Sequence, residues 1–282
     1  MGKADSSKQQ RGRSTMNEIN SLPGSIVEPS DPRKIGPILL WDIDGMLLDF
    51  HASERAAIRT LFEKYGFGEC TDAMLTRYAA INDVYWQKLE RGEMAKADIL
   101  VNRYVDFFRE YGLDETKAPA FNADYQLALG DTIVFMPGAE ETVKALKGRY
   151  FQAAVTNGTL TAQTKKLRNS GLDRLLDAFY ISDRIGFEKP DIRYFNCVFE
   201  QMPAQYAAWQ KENGGAGEIL SAETLKAACL MIGDSLTSDI QGGNNAGIRT
   251  VWFNPSGKEV KPGYHVDHVI RDVREIFDLL EE

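Results

Sequence analysis

The run Ile38-Leu39-Leu40-Trp41 is wholly apolar and stops at Asp42-Ile43-Asp44-Gly45. Such a run suits a strand buried on both faces of a sheet. Two acids directly behind it are a strong constraint, because carboxylates resist burial unless something compensates their charge. Either the pair caps a solvated turn, or it faces a metal ion or an electrophile.

The chain repeats this device after Phe135. "FQAAVTNG", "DAFYISD", "AACLMIGDS" and "IRTVWFN" are short apolar runs ending in polar residues. Helical patterns separate them: "AEETVKALKGR", "TAQTKKLRNSG", "PDIRYFNCVFEQM" and the glycine-weakened "SDIQGGNNAG". "HVDHVI" is a weaker strand candidate before a terminal helix, "DVREIFDLLEE". Strands alternating with helices of this length predict a mostly parallel sheet covered on both faces. Residues 51–132 carry only helical spacing, as in Ile58, Leu61 and Phe62, or Met74, Tyr78, Ile81, Tyr85 and Leu89. The expected architecture is therefore a Rossmann-like α/β core, residues 35–50 and 133–282, with an α-helical domain inserted at 51–132. Residues 1–34 are polar and are expected to form a flexible extension, neither signal peptide nor anchor. Residues 206–222, rich in glycine and polar side chains, are expected as a surface excursion.

The 282 residues are 43% hydrophobic and 26% charged, which supports a sizeable folded core. A net charge of -8 weighs against binding a nucleic-acid polymer. The three cysteines, Cys70, Cys197 and Cys229, form neither a disulfide framework nor a zinc pattern, and the three histidines are scattered. Neither GxGxxG nor GxxxxGK[ST] is present. No segment supplies the roughly 18 apolar residues that a membrane span needs. The expectation is a soluble cytoplasmic protein with no membrane partner, compatible with a monomer or a homo-oligomer.

In an open α/β sheet, ligands bind beyond the carboxyl ends of the strands. Here those ends carry Asp42 and Asp44, then Thr156-Asn157-Gly158, then Gly233-Asp234-Ser235 with Asp239 close behind, and "GFEKPD" places Lys189 between them. One acid at a strand end is usually a helix cap, but four polar clusters on one edge point to chemistry. Asp42, Asp44 and Asp234 crowded together would repel one another unless a cation shared them. All-oxygen ligation favours a hard ion such as Mg²⁺. Thr156, Asn157, the Gly158 amide and Lys189 offer donors and positive charge to an anion.

"DIDG", "TNG", "KP" and "GDSLTSD", in this order, resemble the four motifs of the haloacid dehalogenase-like hydrolase superfamily, and the insert resembles the helical cap of its subfamily I. "INDVYWQKLERGEM", "NRYVDFF", "SDRIGFEKPD" and "GDSLTSDIQGGNNAGIRTVWFNP" are most similar to the 5'-nucleotidases of pyrimidine and noncanonical pyrimidine nucleoside monophosphates. The resemblance implies a Mg²⁺-dependent phosphomonoesterase working through an aspartyl-phosphate. Asp42 would be the nucleophile and Asp44 the proton carrier. Mg²⁺ would be held by Asp42, the Asp44 backbone carbonyl and Asp234. Thr156 and Asn157 would bind phosphoryl oxygens, and Lys189 would offset their charge. Asp239 would orient Lys189 or a metal-bound water, with Ser235 a lesser member of that outer layer. Asp44 also favours phosphoester over carbon–halogen cleavage, since a departing alkoxide needs a proton and a halide does not.

Met46 and Ile192 depart from the family pattern. Three rivals stand beside this reading: a phosphatase of the same mechanism acting on sugar phosphates or another small phosphometabolite; a mutase, disfavoured because nothing in the cap marks a site to hold a phosphorylated intermediate; and a catalytically weak phosphate-binding protein, supported in the sequence by Met46 alone. In the cap, Tyr85, Trp86, Tyr104, Phe107 and Phe108 are expected mainly in the core. His51, Asn82 and Arg103 are the polar candidates for contacting a leaving group.

Overall fold

The computed structural model describes residues 35–260 and 262–281, so the expected N-terminal extension lies outside the described residues. Among the described residues, the strands are β1 (Ile38–Trp41), β2 (Gln152–Thr156), β3 (Ala178–Ile181), β4 (Cys229–Gly233), β5 (Arg249–Phe253) and β6 (His268–Ile270). They form one sheet in the order β3-β2-β1-β4-β5-β6, and every pairing is parallel. Among the described residues, five α-helices lie between β1 and β2, and the first four make up the inserted cap: α1 (Phe50–Tyr65), α2 (Asp72–Glu90), α3 (Lys96–Glu110) and α4 (Ala118–Ala128). The others are α5 (Ala139–Leu146), α6 (Leu160–Ser170), α7 (Ser182–Ile185), α8 (Ile192–Glu212), α9 (Ala222–Ala228), α10 (Gln241–Ala246) and α11 (Ile276–Glu281). The fold is a mostly parallel α/β core with an inserted helical cap.

The two-residue period of a strand explains how one apolar run serves two cores. Leu39 and Trp41 of β1 enter a cluster with Val143 of α5, Leu167 of α6 and Ile276 of α11. Ile38 and Leu40 enter the opposite cluster, with Tyr194 and Val198 of α8 and Leu225 of α9. A third cluster belongs to the cap and is largely aromatic, joining Phe62, Tyr78, Tyr104, Phe107, Phe108, Phe121 and Tyr125. Met46 is fully buried in the first cluster, where its flexible side chain fills space under the loop that follows β1.

Local signals set the cap's entry. Asp49 closes the N-terminus of α1 by accepting the Ala52 N–H at 3.0 Å, and Thr71 does the same for α2 through Met74 at 3.3 Å. One expectation changes here: α8 runs through Pro203 to Glu212, so the irregular excursion begins only at Asn213. Pro203 removes one helical hydrogen bond. Burial beyond it compensates, because Tyr206 packs 5.6 Å from the Phe151 ring and 5.3 Å from Trp209.

Phe121 sits at the centre of the cap cluster, 5.0 Å from the Tyr104 ring, 5.1 Å from Phe108 and 5.2 Å from Tyr65. Phe121→Ala is expected to cost the cap about 3–5 kcal/mol, measured as a lower midpoint in urea unfolding. Leu127→Ala on the same helix, at a half-exposed position, is expected to stay within about 0.5 kcal/mol of wild type.

Candidate active site

The strand order runs outward from β1 through β2 and β3 on one side and through β4 to β6 on the other. The crevice past the carboxyl end of β1 is therefore the topological switch point, where helices leave toward opposite faces. Trp41 pairs with Ala154 of β2 and Ile232 of β4, so Asp42 emerges between Val155-Thr156 and Gly233-Asp234. Its N–H extends the ladder by donating to the Ile232 carbonyl at 2.8 Å. Gly45 turns the loop at φ 96°, and a Cβ there would come within 2.6 Å of Asp234 Oδ2. Only glycine allows the backbone this close to the acid.

Lys189 joins the strand ends. It is 1% exposed, and its three ammonium protons have three acceptors: Asp42 Oδ1 at 2.8 Å, Asp239 Oδ1 at 2.7 Å and the Val155 carbonyl at 2.7 Å. Burial works against its charge, yet Asp239 and Asp42 outweigh that and hold its pKa well above the usual lysine value. Asn157 fixes the Lys189 backbone: its Oδ1 accepts the Lys189 N–H and its Nδ2 donates to the Lys189 carbonyl, each at 2.8 Å. Its side chain is thus committed to the protein. The Gly158 N–H is similarly turned to Thr156 Oγ1 at 3.1 Å, which leaves the Thr156 hydroxyl proton as the donor at this strand end. Ser235 caps the following turn through Ser238 N–H, and its own N–H donates to Asp239 Oδ2 at 3.0 Å.

Among the described residues, Asp42, Asp234 and Asp239 place carboxylate oxygens within 4.8 Å of one another. Three carboxylates against the one ammonium of Lys189 leave two negative charges uncompensated. Burial, with Asp239 and Asp234 nearby, pushes the Asp42 carboxyl well above its ordinary value despite Lys189. Asp234 opens onto the cavity, but the protein around it and then Asp239 push it upward as well. A cation shared by these acids would offset their mutual repulsion. An all-oxygen cluster lacking two positive charges fits a divalent hard cation. It would be held by Asp42 and Asp234, with Asp239 close enough to join them.

Asp44 has separate partners. Lys166 Nζ lies 2.5 Å from its Oδ1 and Gln163 Nε2 lies 2.6 Å from its Oδ2. Sequence reasoning missed both residues. Their signal was present: they stand three apart on α6, hence on one face, just behind "TNG".

Above the cluster is a cavity of about 230 Å³. Its floor includes Asp42, Asp44, Thr156, Lys189, Asp234 and Asp239, and its cap side includes Phe50, His51, Asn82, Trp86 and Glu90. Trp86, expected in the core, lines this cavity. Tyr85, Tyr104, Phe107 and Phe108 are buried in the cap. Arg103 does not reach the main cavity but lines a smaller one of about 30 Å³ behind it. It is buried against Asn82 Oδ1 at 2.5 Å, with its guanidinium 5.0 Å from the Tyr104 ring and 5.2 Å from Tyr125. Asn82 in turn donates to Glu54 at 3.1 Å, and Glu54 raises the pKa of His51 through its hydrogen bond. Cap and core are tied by Thr237 Oγ1 to Glu90 at 2.5 Å and by Lys96 to Ser182 at 2.8 Å. No helix among the described residues is long and apolar enough to cross a membrane.

Comparison with known proteins agrees with this geometry. Residues 37–247 match the family model described as haloacid dehalogenase-like hydrolase. The HAD-hydrolase YfnB of Bacillus subtilis is 34% identical over 242 residues, which is 86% of this chain and 94% of YfnB. The crystal structure of YfnB, described as bound to magnesium and as revealing interdomain movement, superposes with a TM-score of 0.76. That match, at 32% identity, covers 88% of this chain and all of that one. The pyrimidine 5'-nucleotidase PynA of Streptococcus pneumoniae is 32% identical over 86% of this chain and 94% of its own. The pyrimidine 5'-nucleotidase YjjG of Escherichia coli is 25% identical over 72% of this chain and 80% of its own. With its fold, its acidic cluster and these relatives together, the chain belongs to the haloacid dehalogenase-like hydrolases.

Proposed function

We propose that this protein hydrolyses pyrimidine nucleoside 5'-monophosphates in the cytoplasm, with Mg²⁺ and through an aspartyl-phosphate on Asp42. Its family and its acidic cluster make it a phosphoric monoester hydrolase. The observation that carries the mechanism is the buried Lys189, bonded at once to Asp42 and Asp239 beside Asp234. Support for the nucleotide comes from the cavity wall, where Phe50 and Trp86 offer aromatic faces next to a polar floor. The pyrimidine 5'-nucleotidases PynA and YjjG point the same way.

The roles follow from placement. Lys189 holds one oxygen of Asp42, which leaves the other to attack phosphorus. The metal, when bound, supplies positive charge that lets two anionic groups approach. As the ester P–O bond breaks, its electron pair goes to the leaving oxygen and the proton on Asp44 follows it. Asp44 then takes a proton from the water that attacks the aspartyl-phosphate and releases phosphate. Thr156, with its free hydroxyl proton, donates to a phosphoryl oxygen. Asn157 serves this arrangement indirectly, by fixing the Lys189 backbone. Residues 51–132, closing over the cavity, would exclude bulk water from the reacting phosphorus.

A phosphate-release panel of nucleotides and sugar phosphates with Mg²⁺ is expected to favour pyrimidine nucleoside monophosphates. Efficient turnover restricted to sugar phosphates would keep the mechanism and discard this substrate. Asp42→Asn is expected to lower kcat by at least about 10³-fold, because an amide cannot form the phosphoryl ester. Chelation is expected to stop turnover and added Mg²⁺ to restore it. Trp86→Ala is expected to raise KM for the nucleotide roughly tenfold, the equivalent of one lost aromatic stacking contact.

A further inference from the structure

The acid assigned above to proton transfer is not a free side chain. Both oxygens of Asp44 accept hydrogen bonds from α6, one from Lys166 at 2.5 Å and one from Gln163 at 2.6 Å. Its carboxylate consequently stands apart from the group formed by Asp42, Asp234 and Asp239. Lys166 is 1% exposed and has no bulk water to solvate it. Its ammonium instead lies between the Asp44 carboxylate and the face of Phe50, 4.9 Å from that ring's centroid. Phe50 lines the cavity, so this ion pair stands where the wall on the leaving-group side meets the floor.

The path of Gln163 is also built in. A Cβ at Gly158 would collide with the Gln163 side-chain amide, so glycine there opens the way to Asp44. Helix α6 is held in place by the cap. Ala162 belongs to the cap's apolar cluster, Thr159 Oγ1 donates to Gln126 Oε1 at 2.7 Å, and Lys165 donates to the Leu127 carbonyl at 2.9 Å. One helix thus touches both the cap and the proton carrier.

We propose that Lys166 and Gln163 are positioning residues that aim the Asp44 carboxyl at the leaving oxygen instead of at the metal-binding acids. The proposal rests on the reading of Asp44 as the proton donor. When the P–O bond breaks, the electron pair stays on the leaving oxygen and the Asp44 proton moves to it. The carboxylate left behind then faces the Lys166 ammonium. Two carboxylate–ammonium pairs, Asp42 with Lys189 and Asp44 with Lys166, keep attack and proton transfer on separate acids.

Leaving-group chemistry provides the test. An alkyl phosphate must have its leaving oxygen protonated, whereas p-nitrophenolate departs as a stable anion. Wild type, Lys166→Met, Lys166→Arg, Gln163→Leu and Asp44→Asn are compared on p-nitrophenyl phosphate and on the alkyl ester that wild type turns over fastest. Lys166→Met is expected to lower kcat/KM, which reports the step that cleaves the ester bond, on the alkyl ester about 10- to 100-fold, within the range of general acid catalysis. Its loss on p-nitrophenyl phosphate is expected to be at least about ten times smaller. Lys166→Arg should recover part of the loss, and Gln163→Leu should show the same selectivity more weakly without a change of charge. Turnover of p-nitrophenyl phosphate also reports that each variant is folded. Equal losses on both esters in Lys166→Met and Gln163→Leu, with selective loss in Asp44→Asn, would overturn the positioning role and leave the proposed function standing. Equal losses of kcat/KM on both esters in Asp44→Asn itself would overturn the assignment of Asp44 as proton donor and the positioning role with it.

Discussion

The site depends on a buried lysine whose three protons are all committed. Taking an ammonium out of water costs several kcal/mol, and the cost is recovered only when geometry and partners are complete. Lys189 meets that demand with acceptors from three places in the chain: the acid after β1, a carbonyl of β2, and Asp239 in the turn after β4. The strand order makes this possible. Only a sheet with β1 between β2 and β4 brings those acceptors within reach of one side chain. The same lysine that closes the network also leaves one oxygen of Asp42 unclaimed and the acidic cluster short of positive charge.

That shortage connects fold to chemistry. A core that merely sought stability would replace the buried charges of Asp42, Lys189 and Asp239 by apolar residues of similar volume. The strand ends instead retain three acids and one base, with the carboxyls of Asp42 and Asp234 pushed upward. Strain of this kind persists where function needs it and is carried by the surrounding core. Here the carriers are the two apolar clusters on either face of the sheet, which fix β1 through alternate side chains.

Much of this arrangement was legible in the sequence, because its signals are local and periodic. Apolar runs ending in "DIDG", "TNG" and "GDS" located the strand ends, and sustained helical spacing after the first of them pointed to an inserted helical cap. What escaped depended on tertiary context. Pro203 reads as a helix end, but the contacts of Tyr206 with Phe151 and Trp209 lie 50 or more residues apart in part and outweigh one missing hydrogen bond. Trp86 shares helical spacing with buried aromatics, and only the packing of α2 over the core turns it to the cavity. Lys166 is one of two adjacent lysines on α6, and its spacing from Gln163 placed the pair on one face without showing that this face turns to Asp44. Asn157 and Gly158 stood in the expected place, yet their polar groups serve the loop itself.

The two acids of "DIDG" show how a single intervening residue can divide labour. Ile43 is fully buried in the cluster of α5, α6 and α11, which pins the backbone between Asp42 and Asp44. With that residue anchored, each carboxylate can be directed by a different partner: Asp42 by Lys189 and Asp44 by Lys166 and Gln163. Here each acid has a lysine of its own. Separate partners aim the two carboxylates in different directions, so attack and proton transfer fall to different side chains two residues apart.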